Sequence, residues 1–162
     1  MKKIFLADYL GCILFRVLGP FLRMLPVRVS LFLGRRLGDC FYYLDLRHRA
    51  RVFANLKRVL GDEKSPEQLF ALAKEFYQSF GESIIEVFLI PMIDSHYIAQ
   101  YIQTSNEGVV KEALKKGRGV ILVAVHAGSW ELSNVISANL GFPYSYLVRG
   151  QSLPRLNRLL NK

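Results

Sequence analysis

The sequence is poor in the residues that metal and redox chemistry require. Its 162 residues include two cysteines and three histidines. Cys12 and Cys40 stand at no metal-ligand spacing from a histidine, and two cysteines make no disulfide framework. They are expected as buried free thiols in a reducing compartment, with no metal site. Gly-rich phosphate loops, internal repeats and low-complexity tracts are also lacking. No nucleic-acid recognition motif accompanies the net charge of +9, so nucleic acid is not the expected partner. No small-residue cleavage site follows the apolar N-terminus, which argues against a signal peptide. The apolar run is also interrupted. Asp8, Arg16 and Arg23 break it, and Pro20 is expected to kink it.

What is present is apolar and unevenly charged. Hydrophobic residues make up 51% of the chain, enough for a real core. Residues 1–58 carry twelve Lys and Arg against Asp8, Asp39 and Asp45, while residues 59–162 carry ten basic and ten acidic groups. The whole positive balance therefore coincides with the N-terminal apolar segment. That pairing suggests an anionic membrane surface. Arg16 and Arg23, seven residues apart, share one helix face, so a helix lying in the interface fits better than a full span.

Helical texture continues through 27–60, with the basic cluster Arg47–Arg51 read as a solvated face and His48 as exposed. Gly61–Lys64 is a turn. Ser65-Pro66-Glu67-Gln68 is a helix start with a capping box. Leu69, Leu72, Phe76, Phe80, Ile84 and Val87 then form an apolar stripe expected in the core, and Pro91 ends the helix. Glu82 and Glu86 read as a solvated acidic pair. Beyond lie an expected strand over Tyr97–Gln103, a helix over Ser105–Lys116 capped by Ser105 and ended by Gly117, and a strand over Gly119–Val125. Another helix over Glu131–Leu140, a strand over Tyr144–Arg149 and a helix from Leu153 complete the order. Alternating strands and helices predict a parallel sheet with right-handed crossovers.

The candidate chemistry lies where the Gly119–Val125 run turns polar. His126 and Glu131 make a His-x4-Glu spacing, with Gly128 permitting a tight turn and close approach of substrate. A histidine at the carboxyl edge of a sheet stands where open α/β folds bind ligands. A neutral imidazole takes a proton from a hydroxyl, and a carboxylate partner stabilises the imidazolium. Amides near Gly128 and the following helix start are placed to receive a developing oxyanion.

Val125-His126-Ala127-Gly128-Ser129-Trp130-Glu131 resembles the first block of the glycerolipid-type acyltransferases. Its Trp-Glu ending is similar to that of the bacterial lipid A late (lauroyl/myristoyl) acyltransferases. Arg51–Leu56 resembles that family's Asn-Leu segment. Tyr146–Arg149 with Leu153–Leu156 resembles its second block. The resemblance implies His126 as catalytic base, Glu131 as its partner, and Arg149 as a contact to an anionic acceptor or to the oxyanion. Ala127 and Ser129 stand where the family often shows Phe and Asn. Members run on beyond a second block, so a truncated, N-terminal half is expected here.

The resulting expectation is an α/β protein: membrane-associating helices over 1–60, then over 61–162 the first βαβαβ part of an acyltransferase sandwich. It implies an O-acyltransferase at the cytoplasmic face of the inner membrane. It moves a fatty acyl chain from an acyl carrier protein or coenzyme A thioester to a hydroxyl of a membrane lipid, a lipid A precursor, without a cofactor. Substrate-binding residues would be Arg149 and Gly128. Two other readings stand beside it. One is a His/Glu-assisted esterase or thioesterase using Ser129 or Ser133, neither of which sits in a Gly-x-Ser-x-Gly elbow. The other is an inactive membrane-surface remnant.

Overall fold

The computed structural model describes residues 2–103, 105–123, 125, 127–141, 145 and 154–155, with 2–7 and 107 as backbone only. Seven α-helices are seen among them: α1 Lys2–Met24, α2 Val27–Leu44, α3 Leu46–Leu60, α4 Pro66–Leu89, α5 Ser95–Tyr101, α6 Glu107–Lys115 and α7 Trp130–Asn139. A 3-10 turn, Ile90–Met92, follows α4. Helix α4 is central, packing against α1, α2, α3 and α7.

Local chemistry explains where α4 starts. The Ser65 hydroxyl accepts from the Gln68 amide at 3.4 Å, the Gln68 side chain accepts from the Ser65 amide at 2.9 Å, and Pro66 opens the helix. Its buried face is Leu69, Ala73, Tyr77, Gln78, Gly81, Ile85, Phe88 and Leu89. This face is rotated by about 100° from the expected apolar stripe. Leu69 belongs to both, but Phe76 and Phe80 are exposed. The reason is steric. Helix α2 presents Gly34 and Gly38 to α4, and the deepest contact goes to the smallest residues rather than the most apolar ones.

The α2–α4 contact is antiparallel and backbone to backbone. A Cβ on Gly34 would lie 2.9 Å from Glu82 Cα, and one on Gly38 would lie 2.6 Å from Gln78 Cα and closer still to the Tyr77 carbonyl. From the other side, a Cβ on Gly81 would meet the Gly34 carbonyl and lie 2.6 Å from the Gly38 nitrogen. Polar ties flank the seam: Gln78 Nε2 donates to Asp39 Oδ1 at 2.7 Å, and Arg35 pairs with Glu82 at 3.6 Å. Tyr77 meets Tyr42 edge-on, with ring centroids 5.9 Å apart.

Helix α1 is continuous through Pro20. Leu22 is buried, Phe15 stacks on Phe88 at 4.8 Å, and Arg23 Nη1 donates to the Phe88 carbonyl at 3.2 Å. The opposite face is apolar and open, with Leu10, Ile13, Leu14, Val17, Phe21 and Met24 all exposed. No helix among the described residues is long and apolar enough to cross a membrane. Asp8, which interrupts the apolar run, is buried, and its carboxylate accepts from the Arg155 amide at 3.0 and 3.1 Å.

The expected α/β sandwich is not found, and no strand occurs among the described residues. Residues 97–101 of the first expected strand are helical. Asp94 caps α5 by accepting from the Tyr97 amide at 2.7 Å, and Tyr97 is buried on the core beside Leu22, Ile85 and Leu132. The third expected strand, Tyr144–Arg149, lies outside the described residues except Ser145. The described residues of the second expected strand, 119–123 and 125, are not in a strand. Its described side chains are open instead, Ile121 at 92% and Val123 at 91% exposure. Of the helix expected from Leu153, only Pro154 and Arg155 are described, and both are helical.

Smaller expectations divide. His48 is exposed as expected. The thiols are free, but Cys40 is exposed and Cys12 only half-buried. Asn106, at φ 60°, and not Ser105, stands at the N-cap position of α6 and makes no side-chain cap hydrogen bond there. Gly117 does end that helix, with φ +68°, a conformation only glycine adopts readily.

The seam generates a paired prediction. Gly38→Ala drives a methyl into the α4 backbone and should destabilise the fold by about 3 kcal/mol or more, beyond ordinary overpacking. Gly108→Ala, in α6 with nothing within 4 Å of the new Cβ, should stabilise by about 0.5–1 kcal/mol through helix propensity. Thermal and denaturant melts of the two variants check this. Equal, small shifts would show that α2 and α4 are not in backbone contact.

Candidate active site

The Ala127–Glu131 turn is positioned by α7, and α7 is positioned by α4. Leu132, in the first turn of α7, is buried in the core with Ile85, Phe88 and Leu89 of α4. The far end is tied by the Asn139 side-chain amide, which donates to the Val135 carbonyl at 2.9 Å and to the Ile93 carbonyl at 3.5 Å. Before the helix, Gly128 has φ +59°, so the chain turns there at a residue without a Cβ. Just before it, the Ala127 amide donates to the Val125 carbonyl at 3.0 Å.

Glu131 sits in the first turn of α7, where the helix macrodipole favours a carboxylate. It is exposed and accepts from the Trp130 indole Nε1 at 3.1 Å. Ser133 donates to the Trp130 carbonyl at 2.6 Å, so its hydroxyl proton is engaged within its own helix. Glu131 and Gly128 are thereby brought to one helix entry. His126 and Arg149, the other two expected site residues, lie outside the described residues.

An open groove runs beside this entry, lined by Phe80, Ser83, Ile84 and Val87 of α4 with Ser129, Trp130 and Glu131. Most of the lining is hydrocarbon or aromatic ring. Phe80 and Ile84, expected in a core stripe, are part of it. The acidic pair of α4 is also not a solvated face. Glu82 pairs with Arg35, and Glu86 is half-buried. Burial pushes the Glu86 carboxyl above the usual range, and the charge of Glu82 adds to the rise. The Ser129 hydroxyl is close enough to Glu86 to oppose that rise, although no hydrogen bond of good geometry closes at its buried oxygen. Burial, with Glu86 as neighbour, likewise raises the Tyr97 phenol. The sequence reading missed Glu86, and the one local hint was a carboxylate set among Ile84, Ile85, Val87 and Phe88. No cluster able to hold a metal ion occurs among the described residues.

Comparison with known proteins adds one match. A family model described as bacterial lipid A biosynthesis acyltransferase matches residues 2–162. No curated protein and no solved structure matches the chain. The match spans the helices, the Gly128 turn and the Glu131 helix start together, and the chain therefore belongs to the bacterial lipid A biosynthesis acyltransferase family.

Proposed function

We propose that this acyltransferase moves a fatty acyl chain from an acyl thioester, carried by acyl carrier protein or coenzyme A, to a hydroxyl of a membrane lipid, a lipid A precursor. The observation that carries the reading is the family match over 2–162, which includes the whole His126–Glu131 block. Two features of the structure support it. The groove beside Trp130 and Glu131 is apolar, as a hydrocarbon chain requires. The turn at Gly128 leaves backbone room at the helix entry, where a reacting carbonyl needs close approach.

In this reading His126 takes the proton of the lipid hydroxyl as its oxygen attacks the thioester carbonyl. The C–S bond then breaks, and the imidazolium returns the proton to the leaving thiolate. Glu131 stabilises the imidazolium. Arg149 contacts the anionic acceptor or the oxyanion, and amides around Gly128 stabilise the developing negative oxygen. No cofactor takes part beyond the thioester donor.

The protein works at the cytoplasmic face of the inner membrane, with the open apolar face of α1 lying in the lipid interface. Arg16 is exposed and falls at the border of that face, where it meets anionic headgroups.

Two tests follow. His126→Ala in the protein expressed in its host membrane should lower transfer from a labelled thioester to lipid by about 10² to 10⁴. Glu131→Gln should also lower it strongly, and the double variant should be no worse than His126→Ala, because the two act as one unit. With circular dichroism unchanged, a His126→Ala protein losing less than about tenfold contradicts the general-base role. Separately, flotation with anionic vesicles should weaken from low to high salt as the charge attraction is screened. Replacing Val17 and Phe21 by Asp should abolish it. Flotation indifferent to lipid charge, salt and both substitutions contradicts the interfacial placement of α1.

A further inference from the structure

Asp8 is the one acidic residue among the first 38. No step of the proposed reaction uses it, and beside an anionic lipid surface a carboxylate is the wrong charge. Asp8 is only 4% exposed and lies on the side of α1 that also carries Phe15 and Leu22, which follow it at intervals of seven residues. Phe15 stacks on Phe88 of α4, and Leu22 is buried in the core. The open apolar face of Leu10, Leu14, Val17 and Phe21 lies about 180° around the helix. Asp8 therefore stands in the inward row of α1, at a place where packing alone would favour an apolar residue.

A buried carboxylate is costly unless hydrogen bonds satisfy it. Both oxygens of Asp8 accept from the Arg155 amide, at 3.1 and 3.0 Å. The Arg155 guanidinium lies 5.7 Å from the ring centroid of Tyr9, the next residue of α1. Two contacts thus tie position 155 to the start of α1 across most of the chain. The first of them goes to the backbone, so it fixes the path of the chain and not only a side chain. A charged acceptor makes such a bond stronger than a neutral one.

The tie bears on the acceptor. Arg149 precedes Arg155 by six residues, a reach of at most about 22 Å. Helix α1 is about 10 Å across, so a segment pinned to its inward side stands about one helix diameter from lipid that touches its outer side. Resting on the acyltransferase reading, we propose that Asp8 is a positioning residue for the lipid acceptor. By holding the Arg155 amide to the inward side of α1, it keeps Arg149 at the level of the headgroups on which α1 lies. Asp8 touches no substrate itself and acts through the chain that it holds. The same helix that seats in the lipid thereby sets the height of the residue that meets the acceptor.

The test compares Asp8→Leu and Asp8→Asn with the parent. Leucine continues the apolar inward row, so it keeps a packing role and loses the hydrogen bonds. Asparagine keeps one accepting oxygen. Purified protein in detergent is assayed with labelled lauroyl coenzyme A and a phosphorylated lipid A precursor, and amide exchange is followed residue by residue. Asp8→Leu should melt within a few degrees of the parent and float with anionic vesicles as the parent does. Its Arg155 amide should exchange faster by about tenfold or more. Its KM for the lipid acceptor should rise by about tenfold or more, with KM for the thioester within about twofold. Asp8→Asn should fall between Asp8→Leu and the parent in both readouts, and it decides the matter alone if Asp8→Leu does not fold. Parent-like exchange at Arg155 or a parent-like KM for the acceptor overturns the proposal. So does a loss confined to kcat, an equal rise in KM for both substrates, or loss of flotation, which would assign Asp8 to the seating of α1. If the acyltransferase reading itself is wrong, the parent transfers to no lipid and the acceptor role falls with it. Exchange at Arg155 does not depend on activity, so it tells that failure from failure of the Asp8 tie.

Discussion

The structure depends on one close approach, the backbone contact of α2 with α4 at Gly34, Gly38 and Gly81. Backbones this close gain dispersion along their length, and they leave no space for even a methyl group at Gly38 or Gly81. The contact fixes the rotation of α4, and that rotation decides the rest. With Tyr77, Gly81 and Ile85 turned to α2, Phe88 and Leu89 meet α1 and α7, Phe70 meets α3, and Phe80, Ile84 and Val87 are left to line the groove. Had α4 turned its most apolar stripe to α2, Phe80 and Ile84 would have been spent in the core.

The same helix links the two ends of the proposed function. One face of α4 holds α1, whose outer side is an open run of apolar residues suited to a lipid interface. Another holds α7, whose first turn carries Glu131 behind the Gly128 turn. On the same helix lies Glu86, whose carboxyl is pushed above the usual range by burial and by the charge of Glu82, with Ser129 opposing the rise. A site for a hydrophobic acyl chain and a polar headgroup needs both surfaces at a fixed separation. One rigid helix of 24 residues supplies it.

Legibility followed the range of the interactions involved. The α4 start was readable because Ser65, Pro66 and Gln68 interact within one turn. The Gly117 helix end and the charge asymmetry of residues 1–58 were readable for the same local reason. The Gly34, Gly38 and Gly81 seam was not, because glycine carries no hydropathy signal and its meaning appears only when the facing helix is known. Tyr97–Gln103 alternates like a strand, yet the Asp94 cap and burial of Tyr97 make residues 97–101 helix. Gly119–Val125 has the composition of a buried strand, yet Ile121, Leu122, Val123 and Val125 stand open, because composition alone does not decide what covers a segment. At the candidate site, the His-x4-Glu spacing and the family it belongs to were legible. The carboxyl of Glu86 was not, because its burial comes from packing remote in sequence.

Native-state hydrogen exchange resolved by residue tests the central role of the α2–α4 contact most directly. The account predicts that amides of 30–38 in α2 and 73–85 in α4 are the slowest to exchange and open together in one cooperative step. Those of 119–123 should exchange fastest. Slow exchange in α4 with α2 opening separately at low free energy would contradict it, because the two helices would then not be held by a common backbone seam.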